Sequence, residues 1–194
     1  MEEPTSDTRH RMLEAAGRLL QRHGYEATSW RLVVQEAGTP WGSAHHFFPG
    51  GKEQLAAEAL TLSAARVTAL LGACLREAVP CGDAIRGFFQ ASAGFLEASG
   101  YQDGCPVATV ALETAPESKR LTSVCTSAFR DWESLLCDRL ESAGVPRARA
   151  RELATIAVSN LEGALVVARI RASVDPLILA GDVVGDLFDA ASAG

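Results

Sequence analysis

Apolar residues recur with the period of an α-helix along almost the whole sequence, and this pattern constrains the fold most. Between Asp7 and His23 they fall three or four positions apart, at Met12, Leu13, Ala16, Leu19 and Leu20. A helix that buries one face shows this spacing. Gly24 then offers a residue that can adopt a positive φ and end the helix. Since no segment alternates between apolar and polar residues as a half-buried strand does, the sequence predicts an all-α protein of about nine helices.

Three short helices are predicted at the amino-terminal end. Thr28 or Ser29 can cap the second helix, because their hydroxyl oxygens accept backbone hydrogen bonds. A glycine- and proline-containing turn at 38–40 separates it from a third helix over about 40–47. Short turns between short helices indicate a compact unit. We therefore assign residues 1–50 to a first, helix-turn-helix domain and residues 51–194 to a second.

The helices of the second domain are longer. We expect them at about 52–78, 82–98, 107–113 and 114–143, followed by one after Pro146 and a last one over 175–190. The helix at 114 is predicted from a capping box, Thr114-Ala115-Pro116-Glu117, which combines a hydroxyl cap with a carboxylate three residues later.

The net charge of −6 is unevenly distributed. Residues 9–52 carry six basic and three acidic side chains, whereas residues 53–194 carry 12 basic and 18 acidic ones. A mildly basic segment on an acidic body is compatible with binding a polyanion at one end only.

No targeting segment is indicated. The longest stretch without a charged side chain, residues 37–51, contains two prolines and four glycines, unlike a membrane span of about 20 apolar residues. The segment 1–7 is acidic and polar, unlike a signal peptide. We therefore expect a soluble, cytoplasmic protein.

The five cysteines, at 74, 81, 105, 125 and 137, are odd in number and show no C-x-x-C spacing. They therefore indicate reduced thiols rather than a zinc site or a disulfide framework. The alternative for Cys105 is a redox-sensing role, because it lies in the predicted loop 103–106. His45 and His46 project about 100° apart on a helix, so we expect no metal. With no nucleophile or phosphate-binding motif either, the sequence indicates neither an enzyme nor a cofactor.

The strongest functional signal lies in residues 24–55. They read as a helix, a tight turn and a short helix with a small and polar outer face, which suits the major groove of DNA, ~12 Å wide. Hydroxyl groups at the start of the second helix and the ammonium of Lys52 can reach phosphates. The predicted DNA-binding residues are Thr28, Ser29, Arg31, Thr39, Pro40, Trp41, Gly42, Ser43, His45, His46 and Lys52.

This segment resembles the helix-turn-helix of the TetR (tetracycline repressor) family of transcriptional regulators. The resemblance is carried by Gly24-Tyr25, by 37–43 and by Pro49-Gly50-Gly51-Lys52-Glu53-Gln54-Leu55. The later segments 104–108 and 162–165 resemble the branch of lincomycin- and multidrug-resistance and flavonoid-responsive repressors. The resemblance implies a homodimer that binds a double-stranded DNA operator and is released by a small hydrophobic effector.

Three positions depart from that branch. Trp41 stands where arginine is usual, Ala44 where leucine or isoleucine is usual, and His45 where tyrosine is usual. Loss of a bidentate arginine–guanine contact removes about 1–3 kcal/mol of base discrimination. We therefore expect a different operator and a lower affinity. Trp41 either contacts thymine methyls or sugars, or packs within its own domain.

The helix over 153–170 is apolar nearly all round, so it needs cover on several sides. We predict that this helix and the last one of each of two subunits form an isologous four-helix bundle. The alternative is a monomeric bundle with one deeply buried helix. The predicted dimer-interface residues are Leu153, Ala157, Ala164, Ala168, Leu177, Val184, Leu187 and Phe188.

Apolar faces of the middle helices offer candidates for an effector cavity, a role raised by the resemblance. The predicted ligand-binding residues are Phe88, Phe95, Leu112, Phe129, Trp132, Leu136, Asn160, Leu161 and Leu165. The alternative function is a helical small-molecule-binding protein whose DNA binding has degenerated, as the departures at 41, 44 and 45 suggest.

Overall fold

The computed structural model describes residues 4–114 and 117–193, with side chains from Asp7 onwards. Within those ranges every regular element is a helix, which confirms the all-α prediction. The nine described helices are α1 (Pro4–Ala27), α2 (Trp30–Ala37), α3 (Ser43–Phe47), α4 (Gly51–Cys74), α5 (Cys81–Ala98), α6 (Pro106–Thr114), α7 (Lys119–Ser142), α8 (Arg147–Arg171) and α9 (Asp175–Ser192).

The predicted helix break at Gly24, the cap of α2 and the end of α2 are confirmed. Gly24 has φ 78° and breaks the helical path inside α1, and Gly38 has φ 60° at the end of α2. Ser29 caps α2, because its Oγ accepts a hydrogen bond from the Leu32 amide at 3.3 Å. Helix α3 is shorter than predicted, since residues 40–42 form a turn before it begins at Ser43.

The start of α7 was predicted wrongly. The Thr114 hydroxyl donates to the Val110 carbonyl at 2.8 Å, so it closes α6 instead of capping a new helix. The cap of α7 is Ser118, whose Oγ accepts from the Leu121 amide at 3.1 Å. The Ala115 and Pro116 part of the predicted capping box lies outside the described residues. Helix α4 also ends four residues earlier than expected, because residues 77–79 form a turn.

The chain divides into two compact units. The first holds the described residues up to Ala65 together with those of 105–128, and so contains α1, α2, α3 and α6. Helix α1 packs against both α2 and α6. The largest fully buried side chains of this unit include Met12, Leu20, Phe48, Leu55, Leu60 and Leu121. The unit is larger than the predicted domain 1–50, because it also includes α6, the first part of α4 and the first part of α7.

The second unit holds residues 66–104 and the described residues from 129 onwards. Helix α9 packs against α5 and α8. Close approach of α9 and α5 depends on glycine: a Cβ at Gly181 would lie 2.7 Å from the Phe89 Cβ. Beside this contact Arg86 of α5 pairs with Asp189 of α9 at 2.9 Å. These two neighbours fix which face of α9 points inward.

Candidate DNA-binding surface and apolar cavity

Helix α3 is anchored by two residues four positions apart, Ala44 and Phe48, both buried. Residues three or four apart on a helix share a face, so positions between these two anchors point away from the core. Trp41 is 57% exposed, and His45 and His46 are also exposed. The structure therefore presents one aromatic and two imidazole side chains on the outer face of a helix-turn-helix.

Most of the predicted DNA-binding residues lie on this exposed surface or at its border. Ser43 and Lys52 are half-buried, and the exposed members are Ser29, Arg31, Pro40, Trp41, Gly42, His45 and His46. Together they provide hydroxyl, guanidinium, imidazole and indole groups, which are donors that DNA phosphates and base edges accept.

Two predicted contacts need correction, because their side chains are inside the unit. Thr28 is 3% exposed, and its hydroxyl donates to the Gly24 carbonyl at 2.6 Å. Thr39 is 8% exposed, in the turn between α2 and α3. Neither hydroxyl can reach a phosphate in this conformation. The polar residue type indicated a surface contact, whereas the tight packing of the turn buries both groups.

Trp30 of α2 packs beneath this surface, a role that the sequence pattern did not indicate. Its ring is half-buried, with centroids 6.1 Å from the His45 ring and 6.2 Å from the Phe48 ring. Its position directly after the cap of α2 gave no sign of this role. The orientation of His45 therefore depends partly on a neighbour in α2.

Lys52 is held at the amino-terminal end of α4. Its ammonium lies 4.3 Å from the centroid of the Tyr25 ring and donates to the Glu26 carbonyl at 3.2 Å. Burial, followed by the negative charges of Glu53 and Glu26, raises the pKa of Tyr25 above its ordinary value. An ammonium has three donors, so Lys52 can hold the carbonyl and still bind a phosphate.

The second unit contains a small apolar cavity. Four predicted ligand-binding residues line it, namely Phe88, Trp132, Leu136 and Leu161. The lining residues that the prediction missed are Leu71, Ile85, Phe89, Ala157 and Val158. The cavity volume is about 10 Å³, enough for about one water molecule. The cavity is therefore closed to anything larger in this conformation.

The other predicted ligand-binding residues do not line this cavity. Phe95 is 66% exposed and Leu112 is 84% exposed, and the exposed Asn160 donates to the Ile156 carbonyl of its own helix. Phe129 meets the edge of the Trp132 ring, with centroids 5.3 Å apart, and Leu165 is half-buried. Periodicity identified apolar positions correctly but did not determine which helix face turns inward.

The predicted dimer-interface residues lie mainly inside the single chain. All of them except the half-buried Leu187 are buried within one chain, namely Leu153, Ala157, Ala164, Ala168, Leu177, Val184 and Phe188. Their faces pack inside the second unit, where α8 and α9 meet each other and α5. A different apolar face is left exposed, formed by Ile156, Val166, Val167, Ile170, Leu179 and Val183. We call this set the outer α8–α9 face.

All five cysteines are free thiols. Cys81, Cys125 and Cys137 are buried, whereas Cys74 and Cys105 are half-buried. Burial raises the pKa of Cys125 and of Cys137, so both remain protonated at neutral pH and are weak nucleophiles. This matches the interpretation of the buried cysteines as small apolar residues.

A helix-turn-helix with an exposed donor-rich helix, in a chain whose second unit is a helical bundle around an apolar cavity, defines a DNA-binding transcriptional regulator. Comparisons with known proteins give the family. Residues 12–59 match the family described as "Bacterial regulatory proteins, tetR family", and residues 81–183 match "Transcriptional regulator LmrA/YxaF-like, C-terminal domain". The chain belongs to the TetR family of helix-turn-helix transcriptional regulators, as the sequence resemblance indicated.

Relatives and solved structures agree with this assignment. The HTH-type transcriptional regulator YxaF of Bacillus subtilis is 34% identical over 178 residues, covering 92% of this chain and 93% of the relative. The HTH-type transcriptional regulator LmrA of the same organism is 30% identical over 182 residues, covering 94% and 97%. A TetR transcriptional regulator from Legionella pneumophila shares the fold, with a TM-score of 0.84 at 21% identity over 96% of this chain and 98% of that one.

Family membership also indicates general properties of such proteins. Proteins of this family are transcriptional regulators, which are generally not enzymes, and they bind DNA operators and typically act as dimers with small effectors. Helices α4 and α8 are long and apolar enough to cross a membrane by length and composition. Core helices of soluble proteins pass the same test, and TetR-like regulators are soluble and typically cytoplasmic. Two such helices are therefore weak evidence for membrane insertion.

Proposed function

We propose that this regulator is a repressor that binds a palindromic operator as a homodimer and leaves it when a small apolar effector binds. The observation that carries the proposal is the exposure of Trp41, in the turn before α3, and of His45 and His46 on α3. The other face of α3 is anchored by Ala44 and Phe48, and we call the three exposed side chains together the surface of α3. In a dimer the two copies of α3 would enter successive major grooves, about 34–36 Å apart.

The proposed contacts divide into two classes. Ser29, Arg31 and Lys52 bind phosphates, since they lie at the ends of elements around α3 and carry hydroxyl or cationic groups. Trp41, from the turn before α3, and His45, from α3 itself, reach base edges or sugars. Because an indole offers one donor and a large apolar surface, Trp41 favours contact with thymine methyl groups over the guanine contact that arginine makes.

The proposed dimer forms through the outer α8–α9 face. Monomeric soluble proteins rarely expose a contiguous apolar patch of large area, and this face carries Val166, Ile170, Leu179 and Val183, each more than half exposed. In an isologous dimer the same patch on each subunit covers the other. This retains the four-helix bundle of α8 and α9 but assigns it to different residues.

The proposed effector acts on the cavity bounded by Phe88, Trp132 and Leu161. Since the cavity admits about one water molecule in this conformation, the effector binds a second state in which the walls have separated. It shifts the population toward that state only as far as its affinity differs between the two states. The apolar lining favours a small hydrophobic compound.

The test is selection of binding DNA from a random duplex library, followed by fluorescence anisotropy with the selected sequence and a shuffled control. We expect two protomers per palindrome and weak binding to the shuffled duplex. Affinity should also fall steeply as salt rises, because phosphate contacts release counterions. Equal, weak binding to both duplexes would contradict the proposal and favour a ligand-binding protein with degenerate DNA binding. Compounds that release the selected complex would then identify the effector.

A further inference from the structure

Glu113, near the end of α6, contacts the last residues of α1, which follow the break at Gly24 and lead into α2. We call this segment, residues 24–27, the Glu26 turn. Its Oε2 accepts a hydrogen bond from the Glu26 amide at 2.9 Å. A methyl group added at Gly24 would overlap the same carboxylate, so the backbone of the turn lies directly against it. A hydrogen bond from a backbone amide to an ionised carboxylate is about twice as strong as a neutral one.

The same residue of the turn is held from a second helix. The Glu26 carbonyl accepts from the Lys52 ammonium of α4 at 3.2 Å, and Lys52 is in turn placed against the Tyr25 ring. The two backbone groups of Glu26 are therefore bound by side chains of two different helices. We call this arrangement of Glu113, Glu26 and Lys52 the Glu26 clamp.

The clamp lies immediately before the DNA-reading segment. Only two residues separate Glu26 from Ser29, the cap of α2, and α2 is eight residues long and leads through the Gly38 turn to α3. The direction in which α2 leaves the turn therefore sets the direction of α3. A short helix has little capacity to fix its own orientation, since most helical stability comes from packing.

We infer that Glu113 is a positioning residue for operator binding: from α6 it fixes the Glu26 turn and so holds α2 and α3 in the orientation that fits DNA. The inference rests on the proposed operator binding. When the carboxylate is removed, the turn samples other conformations and the binding-competent fraction falls. Apparent affinity falls in proportion to that fraction, and a dimer needs both of its copies in place.

If Glu113 acted only through its charge, its removal would raise DNA affinity and not lower it. Removing an acidic side chain from the DNA-binding unit makes that unit more positive, and a more positive surface binds a polyanion more tightly. Only a positioning role makes the loss of this carboxylate weaken DNA binding. The direction of the change therefore separates the two effects without knowledge of the operator contacts.

The experiment compares Glu113→Ala and Glu113→Gln with the parent protein on the selected operator at one salt concentration. We expect Glu113→Ala to weaken binding about tenfold, since a threefold loss in each of two protomers multiplies. Glu113→Gln should bind within about threefold of the parent, because its amide oxygen still accepts from Glu26. Glu117→Ala, which removes an exposed carboxylate just beyond α6, is the matched control and should not weaken binding. Equal or tighter binding by Glu113→Ala overturns the inference.

A second measurement does not need DNA. Hydrogen exchange of the Glu26 amide, followed by NMR in the DNA-free protein, should accelerate at least about tenfold in Glu113→Ala and little in Glu113→Gln. Unchanged exchange in Glu113→Ala overturns the clamp even if the parent binds its operator. If the parent binds no selected DNA, the proposed operator binding fails, while accelerated exchange at Glu26 still supports the contact. Thermal unfolding of each variant confirms that the remainder of the chain is folded.

Discussion

Two exposed surfaces of this regulator differ in what makes them recognisable. The surface of α3 presents Trp41, His45 and His46 above two buried anchors, and its residue types are themselves suited to DNA. The outer α8–α9 face presents aliphatic side chains, such as Val166 and Ile170, whose residue types do not differ from those of the core. The first surface is identified by chemistry, whereas the second is identified only by its exposure in the folded chain.

Because of this difference, the exposure of a side chain has a different meaning on each surface. A polar group on the surface of a short helix is hydrated by water, so its exposure has little energetic cost. An aliphatic group is exposed at a cost, since burying its surface yields about 25 cal/mol per Å². We therefore expect changes on the aliphatic face to disrupt assembly, and changes on α3 to alter affinity and sequence preference.

The largest effect is expected for Val166→Glu on the outer α8–α9 face. In the proposed symmetric dimer the substitution places two unpaired carboxylates in an apolar interface, and burying an uncompensated charge costs about 3–5 kcal/mol. The dimer dissociation constant should rise by about 100-fold or more, and operator affinity should fall with it. Sedimentation equilibrium measures the first quantity and anisotropy the second.

The matched control for oligomeric state is Leu112→Glu, which makes the same kind of change at a residue 84% exposed on α6, which belongs to the first unit. It should leave the protein dimeric. A Val166→Glu protein with the mass and dissociation constant of the parent would show that the outer α8–α9 face is not the interface.

A smaller effect is expected for Trp41→Ala on the surface of α3. Loss of a base contact at one position costs about 1–3 kcal/mol, so operator affinity should fall between about fivefold and 150-fold. Folding stability should change by less than about 0.5 kcal/mol, because surface substitutions away from packed groups have little effect. Anisotropy and urea unfolding of the same preparation measure the two quantities.

Trp41→Arg sharpens this prediction. Arginine restores a side chain that binds guanine through two hydrogen bonds, so library selection should return operators with guanine at the contacted position. If Trp41→Ala instead lowers folding stability by more than 1 kcal/mol and leaves operator affinity unchanged, Trp41 belongs to the packing of its own unit.

The sequence predicted the surface of α3 better than the second unit, for a physical reason. Helix ends and turns are determined locally, so Ser29, Gly24 and Gly38 were assigned correctly from residue type. The inward face of α8 is determined by neighbours distant in sequence, and in a helix that is apolar nearly all round the pattern contains no preferred face. Ala157 and Ala164 were therefore assigned to a partner subunit, although both pack within the chain.

The exposure of Phe95 and Leu112 follows the same logic. Both are large and apolar, and a sequence pattern assigns such residues to the interior because that is the commonest outcome. The opposite error was made for Thr28 and Thr39, which were predicted to be exposed and are buried. A threonine is small enough to be buried when a backbone carbonyl accepts a hydrogen bond from it or when a tight turn encloses it. Nothing in the sequence indicated the role of Glu113, because the group that it contacts is a backbone amide 87 positions away.

An effect of similar size, but on folding stability, is expected for Gly181→Ala, which tests the inner face of α9. The new methyl group would lie 2.7 Å from the Phe89 Cβ, and overpacking of this kind costs about 1–3 kcal/mol. Gly94→Ala on α5 is the control, because a methyl group there meets no described atom within 4 Å. It should be neutral or stabilise the helix by up to about 1 kcal/mol. Equal effects of the two substitutions in urea unfolding would contradict close packing of α5 against α9.

The smallest effect is expected for Glu36→Gln, which tests whether the surface of α3 rests on packing or on ion pairs. Glu36 of α2 accepts from the Arg18 guanidinium of α1 at 3.0 Å, with both side chains nearly half exposed. Exposed pairs of this kind contribute about 0.2–1 kcal/mol, whereas the buried anchors Ala44 and Phe48 hold α3 directly. Urea unfolding should therefore show a loss below about 1 kcal/mol. Operator affinity should be unchanged or slightly higher, because an acidic group has left the basic segment. A clear loss of affinity would mean that the Arg18 pair orients α2, and that the recognition surface depends on charge as well as on packing.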